Sequence, residues 1–362
     1  HLREPAESVR RDCRPENSKK ATKRHCYRCD GSGLNDDEEG PPIQKTHERA
    51  HGFAKEDVLA TGSWIHRCEL AVRKRAQHCD DASGEPGEHP RLGRIPPDQF
   101  VPIADPGRRT TSPWPGGALE HALSQGEVAL VIQNAKDASP AGGGITIAAV
   151  TTRFTPFDVL IAPDDAILDD LPEGAALSAH TALRRAQLLN YRNDFRIVDF
   201  AGSLEERIKM LERGDVDGLV VSASAVEHLA LQDRVTEIFT TAVLIPAPGQ
   251  GSAVIQVRSA DKELVKAAKH LNDPEAHGEF DAERAFLKAL GADSRAPVGA
   301  LAQNDGESIC LEGVVAERDG NRLFKDSETG EPKEAIEIGE RLARRLLAEG
   351  GRHALAAAEN DA

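Results

Sequence analysis

Two segments of the sequence, residues 118–137 and 203–225, repeat one pattern: an amphipathic helical stretch, a turn containing glycine, and a run of apolar β-forming residues. In the second segment, Ser203 followed by Glu206 predicts a capping box at the start of the helix. A unit of this kind ends in an apolar strand that must pack into a sheet. Its repetition therefore predicts two similar α/β lobes.

Small polar residues follow the apolar run of each segment, Gln133–Asp137 in the first and Ser222–Ser224 in the second. In doubly wound sheets, ligands bind beyond the carboxyl ends of the strands. We therefore expect both groups of residues to lie on the rim of a cleft between the lobes. Spacing alone leaves open the alternative that they are ordinary loops at strand ends.

The C-terminal part of the sequence has a different organisation. Residues 308–326 predict a β-hairpin that turns at Asp319–Gly320. Residues 334–351 predict an amphipathic helix that ends at Gly350. A hairpin and a helix together predict a small third α/β domain.

Charge and composition limit the classes of partner. The chain of 362 residues carries a formal net charge of −15 and 4% aromatic residues. Nucleic acids and anionic membranes need basic surface, and base stacking needs aromatic side chains, so neither partner is expected. The sequence has no apolar run of the roughly 20 residues that span a membrane, and residues 1–20 lack the apolar core of a signal peptide. We expect a cytoplasmic protein, and a monomer.

Residues 1–55 are polar and charged, without sustained apolar periodicity, and predict a tail or linker. Within this tail, "CYRCDGSG" has the C-x-x-C-x-G-x-G form of one zinc-binding repeat of DnaJ-type chaperones. Cys26 and Cys29 provide two of the four ligands that zinc requires, and no second C-x-x-C follows. A bound zinc ion is therefore not expected, and these two cysteines are only weak candidates for ligands.

Several motifs occur in the order and near the spacings of one enzyme family. They include "GDVDGLVVSASAVEHLAL", "IPAPGQGSAVIQVR", "LNDPEAHGEFDAERAFLKAL" and "APVGAL". From about residue 118 to 350 the chain resembles porphobilinogen deaminase, also called hydroxymethylbilane synthase. The resemblance implies an α/β fold of two periplasmic-binding-protein-like, doubly wound lobes and a small third α/β domain. The expected divisions are a polar tail (1–55), lobe 1 (56–155 and 243–262), lobe 2 (156–242), a C-terminal α/β domain (263–354) and a second tail (355–362).

The resemblance also implies a reaction of tetrapyrrole biosynthesis, the route to porphyrins and heme. The family is a transferase that deaminates porphobilinogen and joins four units into hydroxymethylbilane. The growing chain is held on a dipyrromethane cofactor, which a thioether attaches to a cysteine on a loop of the third domain. This chemistry needs a thiolate as the anchor, a carboxylate near the pyrrole nitrogens, and arginines that pair with the acetate and propionate groups.

The anchoring cysteine of the family is absent. Its Gly-Gly-Cys-Gln-Val-Pro-Ile-Gly pattern corresponds to residues 292–299, and Ser294 occupies the cysteine position. Asp293 adds a negative charge where an anionic chain would pass, and Cys310 falls in the next predicted strand. Dipyrromethane is thus the cofactor expected from the family, but the residue that would attach it covalently is missing.

The family's lysine and catalytic aspartate are retained. The Ser-Leu-Lys-Asp-Val-Pro stretch of the family corresponds to residues 134–139, which places Lys136 and Asp137 at those two positions. The resemblance therefore implies a catalytic role for Asp137 and a binding role for Lys136. A solvated loop acid is the alternative interpretation of Asp137.

The arginines that bind the acetate and propionate groups are fewer than in the family. Arg153, Arg184 and Arg207 match three of them. In the ungapped register Leu183 replaces the arginine next to Arg184, and a register in which Arg184 and Arg185 have shifted by one residue stays open. Other arginines of the family are replaced by Phe157, Ala201 and His228.

These observations favour a catalytically impaired family member, a pseudoenzyme, whose cleft binds a small anionic pyrrole-type ligand. One alternative is an active hydroxymethylbilane synthase with atypical attachment of its cofactor. Another is an interaction protein with an N-terminal zinc module.

Overall fold

The computed structural model describes residues 70–73, 100–102, 117–200 and 202–360. The chain divides into two units, His1–Val58 and Leu59–Ala362, and all described residues belong to the second. The predicted polar tail at residues 1–55 and the candidate zinc ligands Cys26 and Cys29 lie outside the described residues. None of the helices in the described ranges combines the length and the apolar character that crossing a bilayer requires.

Lobe 1 contains one sheet and a helix that packs on it. Its elements are β1 (Leu70–Arg73), β2 (Phe100–Pro102), α1 (Gly117–Ser124), β3 (Val128–Asn134), β4 (Ile145–Val150) and β10 (Ala253–Arg258). The five strands have the order β2-β1-β3-β10-β4, and neighbouring strands pair antiparallel. Leu119 and Leu123 of α1 are fully buried against Val128 and Val131 of β3, which fixes the helix on the sheet.

Lobe 2 is built around two βαβ crossovers. Its elements are β5 (Asp158–Ile161), β6 (Ala176–Ser178), α2 (Ala182–Tyr191), β7 (Arg196–Val198), α3 (Leu204–Glu212), β8 (Gly218–Ser222), α4 (Ala223–His228) and β9 (Glu237–Ile238). The order is β7-β6-β8-β5-β9, and β6 pairs parallel with both β7 and β8. Helices α2 and α3 make the two crossovers, as short parallel strands require.

Both faces of the lobe 2 sheet are covered. Val159 and Ile161 of β5 pack into one apolar cluster with Ile208 of α3, whereas Leu160 packs into a second cluster with Leu188 of α2. Alternate residues of a strand point to opposite faces, so helices lie on the two sides of the sheet. This arrangement explains why the predicted strands are continuously apolar rather than alternating.

The two lobes share one strand order. When the strands of each sheet are counted in chain order without the one that directly follows the other lobe, the first lies between the second and the third. The strand that directly follows the other lobe takes the fourth place. That strand is β5 in lobe 2 and β10 in lobe 1. The chain therefore crosses between the lobes twice, and the prediction of two similar α/β lobes is confirmed.

The third domain packs helices on an antiparallel sheet. Its elements are α5 (Lys262–Ala268), α6 (Pro274–Ala289), β11 (Val298–Asn304), β12 (Ile309–Ala316), β13 (Leu323–Gly330), α7 (Ala335–Leu346) and α8 (Arg352–Asn360), of which α5 packs on lobe 1. The sheet order is β11-β12-β13. Phe286 of α6, Leu311 of β12 and Leu342 of α7 are fully buried together. The predicted hairpin and amphipathic helix are confirmed.

Two predictions about helix ends have different outcomes. The capping box is confirmed, because Ser203 Oγ accepts from Glu206 N at 3.2 Å and Glu206 Oε2 accepts from Ser203 N at 2.7 Å. The predicted end at Gly350 is not final: this residue adopts a φ of +132°, and helix resumes at Arg352. Residues 355–360 continue that helix rather than forming the predicted tail, because Leu355 packs against the core of the third domain.

Candidate functional site

A cavity of about 1240 Å³ lies where the two lobes meet the third domain. Lobe 1 contributes the turn after β3, and lobe 2 contributes the first turns of α2 and α3 and the end of β8. The third domain contributes the loop at residues 293–296 and the hairpin tip at residues 317–319. The volume exceeds the roughly 300–1,000 Å³ of most small-molecule sites, so it can hold more than a single pyrrole ring.

Asp137 and Lys136 lie together on the lining of this cavity. They belong to a short 3₁₀ turn, Ala135–Asp137, that directly follows β3. Lys136 Nζ lies 2.6 Å from Asp137 Oδ1, and the side chain of Asp137 is 15% exposed. A carboxylate that is largely shielded from water can stabilise positive charge that develops on a bound ligand.

Arg284 of α6 holds this turn from the third domain. Its Nη2 donates to the main-chain oxygens of Ala135 and Ala138. Burial lowers the pKa of Arg284 to about 10, although nearby carboxylates, including Asp137, favour the charged form. The guanidinium therefore stays charged near neutral pH and positions the turn that carries Asp137. Sequence reasoning missed this role, although Arg284 lies in the retained "DAERAFLKAL" motif.

Arg184 and Arg185, at the start of α2, both line the cavity. Arg184 makes a bidentate pair with the buried Asp158, with Nε to Oδ2 at 3.0 Å and Nη2 to Oδ1 at 2.8 Å. Arg185 is exposed, and no carboxylate in the described part of the chain lies within ion-pair distance of it. Because both side chains reach the cavity, the register left open by the sequence does not change the number of arginines there.

Arg207 of α3 also lines the cavity and has a different environment from Arg184. Its Nε and Nη1 are buried and have no hydrogen-bond partner among the described residues. Burial lowers the pKa of Arg207 below its ordinary value, and the neighbouring charge of Arg184 acts in the same direction. Buried polar atoms normally have partners, so an anionic ligand is the natural complement of this guanidinium.

Arg153, the third predicted binding arginine, is not among the residues that line the cavity. It is buried at the junction with the third domain, where Nη1 lies 2.7 Å from Glu283 and 3.3 Å from Glu279. Its Nε donates to the main-chain oxygen of Gln250 at 3.0 Å. Burial disfavours the charged form of Arg153. The two carboxylates together have the larger effect and raise the pKa of Arg153 above its ordinary value. The contacts of Arg153 are thus with its own chain.

Ser294 lies on the cavity lining, in the loop that the sequence identified as the anchor loop. The neighbouring Asp293 is paired with Arg295, whose Nη2 lies 2.7 Å from Asp293 Oδ2. Burial alone would raise the pKa of Asp293, but the hydrogen bonds from Arg295 lower it. The negative charge predicted beside Ser294 is therefore compensated. Cys310, on β12, is not a lining residue, and no other cysteine lies in the described ranges.

The other three positions where family arginines are missing have different locations. His228 lines the cavity, and Phe157 packs in the apolar cluster where lobe 2 meets the third domain. Ala201 lies outside the described residues. The described residues contain no group of three or more His, Cys, Asp or Glu side chains that could hold a metal ion.

Comparison with known proteins identifies the family. Residues 116–266 match a family model described as porphobilinogen deaminase, dipyromethane cofactor binding domain, and residues 279–348 match the family's C-terminal domain. A curated porphobilinogen deaminase from Rubrobacter xylanophilus is 40% identical over 233 residues, which cover 64% of this chain and 75% of the relative. The chain belongs to the porphobilinogen deaminase family.

Further relatives in this family have similar coverage. The porphobilinogen deaminase of Pelotomaculum thermopropionicum is 36% identical over 255 residues, which cover 70% of this chain and 80% of the relative. Among solved structures, the periplasmic aliphatic sulphonate binding protein SsuA from Escherichia coli aligns with 49% of this chain and 67% of its own chain. It is 15% identical, with a TM-score of 0.31.

The family's dipyrromethane cofactor can be tested against the side chains of this porphobilinogen deaminase family member. The match to the cofactor binding domain supports dipyrromethane as the group to expect. The arginines and Lys136 suit its carboxylates, and Asp137 suits its pyrrole nitrogens. The covalent attachment does not fit, because the lining has Ser294 where a thiol is required.

Proposed function

We propose that this member of the porphobilinogen deaminase family binds small anionic pyrroles in its cavity without a covalent anchor. We further propose that it turns over porphobilinogen less effectively than relatives that have the anchoring cysteine. The observation that carries the proposal is the location of Ser294 on the cavity lining at the anchor position.

Two features support the binding of an anionic ligand. Arg207 has buried nitrogen atoms with no hydrogen-bond partner among the described residues, and Arg185 has no carboxylate within ion-pair distance there. A carboxylate that pairs with a guanidinium gains on the order of 1.5–3 kcal/mol. Acetate and propionate groups on a pyrrole therefore have candidate partners in the cavity.

The absence of the thiol supports the lower turnover. A serine hydroxyl is a weak nucleophile near neutral pH unless a base activates it, whereas a thiolate reacts readily. Tethering is worth roughly 7–11 kcal/mol in effective concentration, which an untethered chain of pyrroles does not gain. Elongation by several units is the step that suffers most from this loss.

A second candidate function is an active hydroxymethylbilane synthase whose cofactor is held in another way. The retained Lys136–Asp137 pair favours it, because a shielded carboxylate on the lining is the group that the chemistry needs. The two candidates differ in whether a pyrrole adduct forms and whether turnover occurs.

Intact mass spectrometry of the freshly purified chain, with an Ehrlich test for bound pyrroles, separates them. We expect the bare mass and no colour, together with measurable binding of porphobilinogen by isothermal titration calorimetry. An adduct of two linked pyrroles would instead establish the second candidate. So would formation of hydroxymethylbilane that Asp137→Asn abolishes.

Variants at Ser294 give the matched control. Ser294→Cys should acquire a stable pyrrole adduct after incubation with porphobilinogen, because it restores the thiol on the lining. Ser294→Ala should behave like the unmodified chain in mass and in binding. Loss of turnover in Ser294→Ala would mean that the hydroxyl itself attaches the cofactor and would overturn the proposal.

A further inference from the structure

The hairpin between β12 and β13 brings an arginine to the cavity from the third domain. Arg318, in the sequence Glu317-Arg318-Asp319-Gly320, lines the cavity, and its Nε is buried without a hydrogen-bond partner among the described residues. None of the motifs that identify the family includes this residue. Its position results from the way the hairpin packs on lobe 2.

The tip of the hairpin is fixed on helix α2. Asn190 Nδ2 donates to the main-chain oxygen of Gly320 at 2.8 Å. Gly320 has a φ of +77°, and a Cβ there would lie 2.6 Å from the main-chain oxygen of Ala186. Only glycine permits this close approach, so the tip rests directly on the helix that also carries Arg185 at the cavity.

The acidic residues of the lining are mostly occupied by other partners. Asp137, Asp158, Asp199 and Asp293 pair with Lys136, Arg184, His180 and Arg295, respectively. Asp319, next to Arg318, accepts from the main-chain and side-chain nitrogens of Asn321 at 3.0 and 2.5 Å. In the described part of the chain, no carboxylate lies within ion-pair distance of Arg318. Its guanidinium is thus available to a ligand.

We propose that Arg318 binds a carboxylate of the pyrrole ligand and so connects the ligand non-covalently to the third domain. This inference rests on the proposed function, because it requires an anionic pyrrole in the cavity. The ion pair between Arg318 and the ligand helps to retain the ligand in the cavity, where this chain lacks the cysteine that would form a thioether. A guanidinium suits this role, since it can bind a carboxylate through two parallel hydrogen bonds.

Isothermal titration calorimetry of the full chain with porphobilinogen tests the inference. Arg318→Ala should weaken binding by about 10-fold to 100-fold, the loss expected for one charge-assisted pair. Arg322→Ala is the matched control, because Arg322 is exposed on the same turn and does not line the cavity. It removes the same charge from the same hairpin and should leave the affinity unchanged.

A second titration separates binding from a structural role. 2-(Aminomethyl)pyrrole lacks both carboxylates of porphobilinogen, so its affinity should be the same for Arg318→Ala and the unmodified chain. Arg318→Lys should recover part of the affinity for porphobilinogen, because it keeps the charge but not the bidentate geometry. The thermal midpoints of the unliganded variants should agree with that of the unmodified chain.

The outcomes distinguish the two proposals. Unchanged affinity for porphobilinogen in Arg318→Ala would overturn the role of Arg318 while leaving the proposed function intact. An equal loss in Arg322→Ala would also overturn it, because the effect would then belong to the net charge of the hairpin. Failure of the unmodified chain to bind porphobilinogen would overturn both proposals.

Discussion

The family motifs give Arg153 and Arg207 the same role, whereas the structure gives them different surroundings. Arg153 is buried between Glu283 and Glu279 and also donates to the main chain of Gln250. Arg207 lines the cavity, and two of its nitrogen atoms have no hydrogen-bond partner among the described residues. Carboxylates of the protein itself pair with the first guanidinium, of which only Nη2 lacks a hydrogen-bond partner among the described residues. The second has no carboxylate within ion-pair distance in the described part of the chain and is available to a ligand.

Arg153 and Arg207 differ in the carboxylates that lie near their guanidinium groups. Glu283 is 130 residues further along the chain than Arg153, and α6 brings it to the junction. There it also accepts from the main-chain nitrogens of Gly249, at 2.5 Å, and Ala302, at 2.8 Å. One carboxylate thus connects three separate segments, so Arg153 is a structural residue at the place where the domains meet.

The largest effect should come from Arg153→Met. This change leaves the fully buried carboxylate of Glu283 without its cation and should lower the free energy of unfolding by about 3–5 kcal/mol. Urea denaturation followed by circular dichroism measures it. Arg322→Met, at an exposed position on the hairpin, is the control and should change the value by less than about 0.5 kcal/mol. Equal effects of the two variants would contradict the structural role of Arg153.

Replacement of Arg207 by methionine should weaken the binding of porphobilinogen without lowering the free energy of unfolding. Arg207→Met removes buried nitrogen atoms that lack partners among the described residues, so we expect an unchanged or slightly higher free energy of unfolding. The affinity for porphobilinogen should fall by about 10-fold to 100-fold in isothermal titration calorimetry. A large loss of stability with unchanged affinity would mean that the two arginines do not differ as described.

A double-mutant cycle tests whether Arg153 acts through Glu283. Glu283→Gln should cost less in the Arg153→Met background than in the unmodified chain, with a coupling energy of about 0.5–3 kcal/mol. Part of the loss should persist in the double variant, because the main-chain nitrogens of Gly249 and Ala302 still need an acceptor. Additive losses in urea denaturation would show that the pair is not the source of the stability.

The smallest effect concerns the pH dependence of Glu279. Burial raises the pKa of Glu279 above its ordinary value, although Arg153 opposes the shift. The native chain then holds more protons than the unfolded chain at pH values between the ordinary glutamate pKa, about 4.3, and the raised pKa of Glu279. The contribution of Glu279 to stability is therefore full below that pH and is lost as the pH rises through the raised pKa.

Comparison with Glu279→Gln isolates this contribution. The free energy of unfolding of the unmodified chain, measured relative to that of Glu279→Gln, should be higher near about pH 4 than near about pH 7. Urea denaturation at a series of pH values measures the difference. A difference that does not change with pH would contradict the raised pKa of Glu279.

Elements with local signals could be predicted from the sequence. The capping box at Ser203 and the hairpin turn at Asp319–Gly320 depend on neighbouring residues, and both are present. The assignment of β5 to lobe 2 and of β10 to lobe 1 followed from the family resemblance and not from a local signal, because it results from pairing between distant strands. Nor could helix α8, since the core of the third domain stabilises it across the turn at Gly350.

Some residues of the candidate site could be predicted from the sequence, and others could not. Family motifs led to Asp137, Lys136 and Arg207, and the structure places all three on the cavity lining. The same motifs could not show that Arg153 is enclosed by carboxylates from α6. Arg318 belongs to none of the motifs, and the hairpin that carries it rests on α2 at Gly320, where a Cβ would meet the main chain of Ala186.

The exchange of strands between the lobes also bears on how the chain folds during its synthesis. All strands of the lobe 2 sheet lie between residues 158 and 238, whereas β4 of lobe 1 pairs, among the described strands, only with β10 at residues 253–258. Domains generally fold as units while the chain emerges from the ribosome. Lobe 2 can close as soon as its own residues have emerged, but lobe 1 must wait until β10 has followed. The order in which the lobes are completed is thus the reverse of the order in which they begin in the sequence.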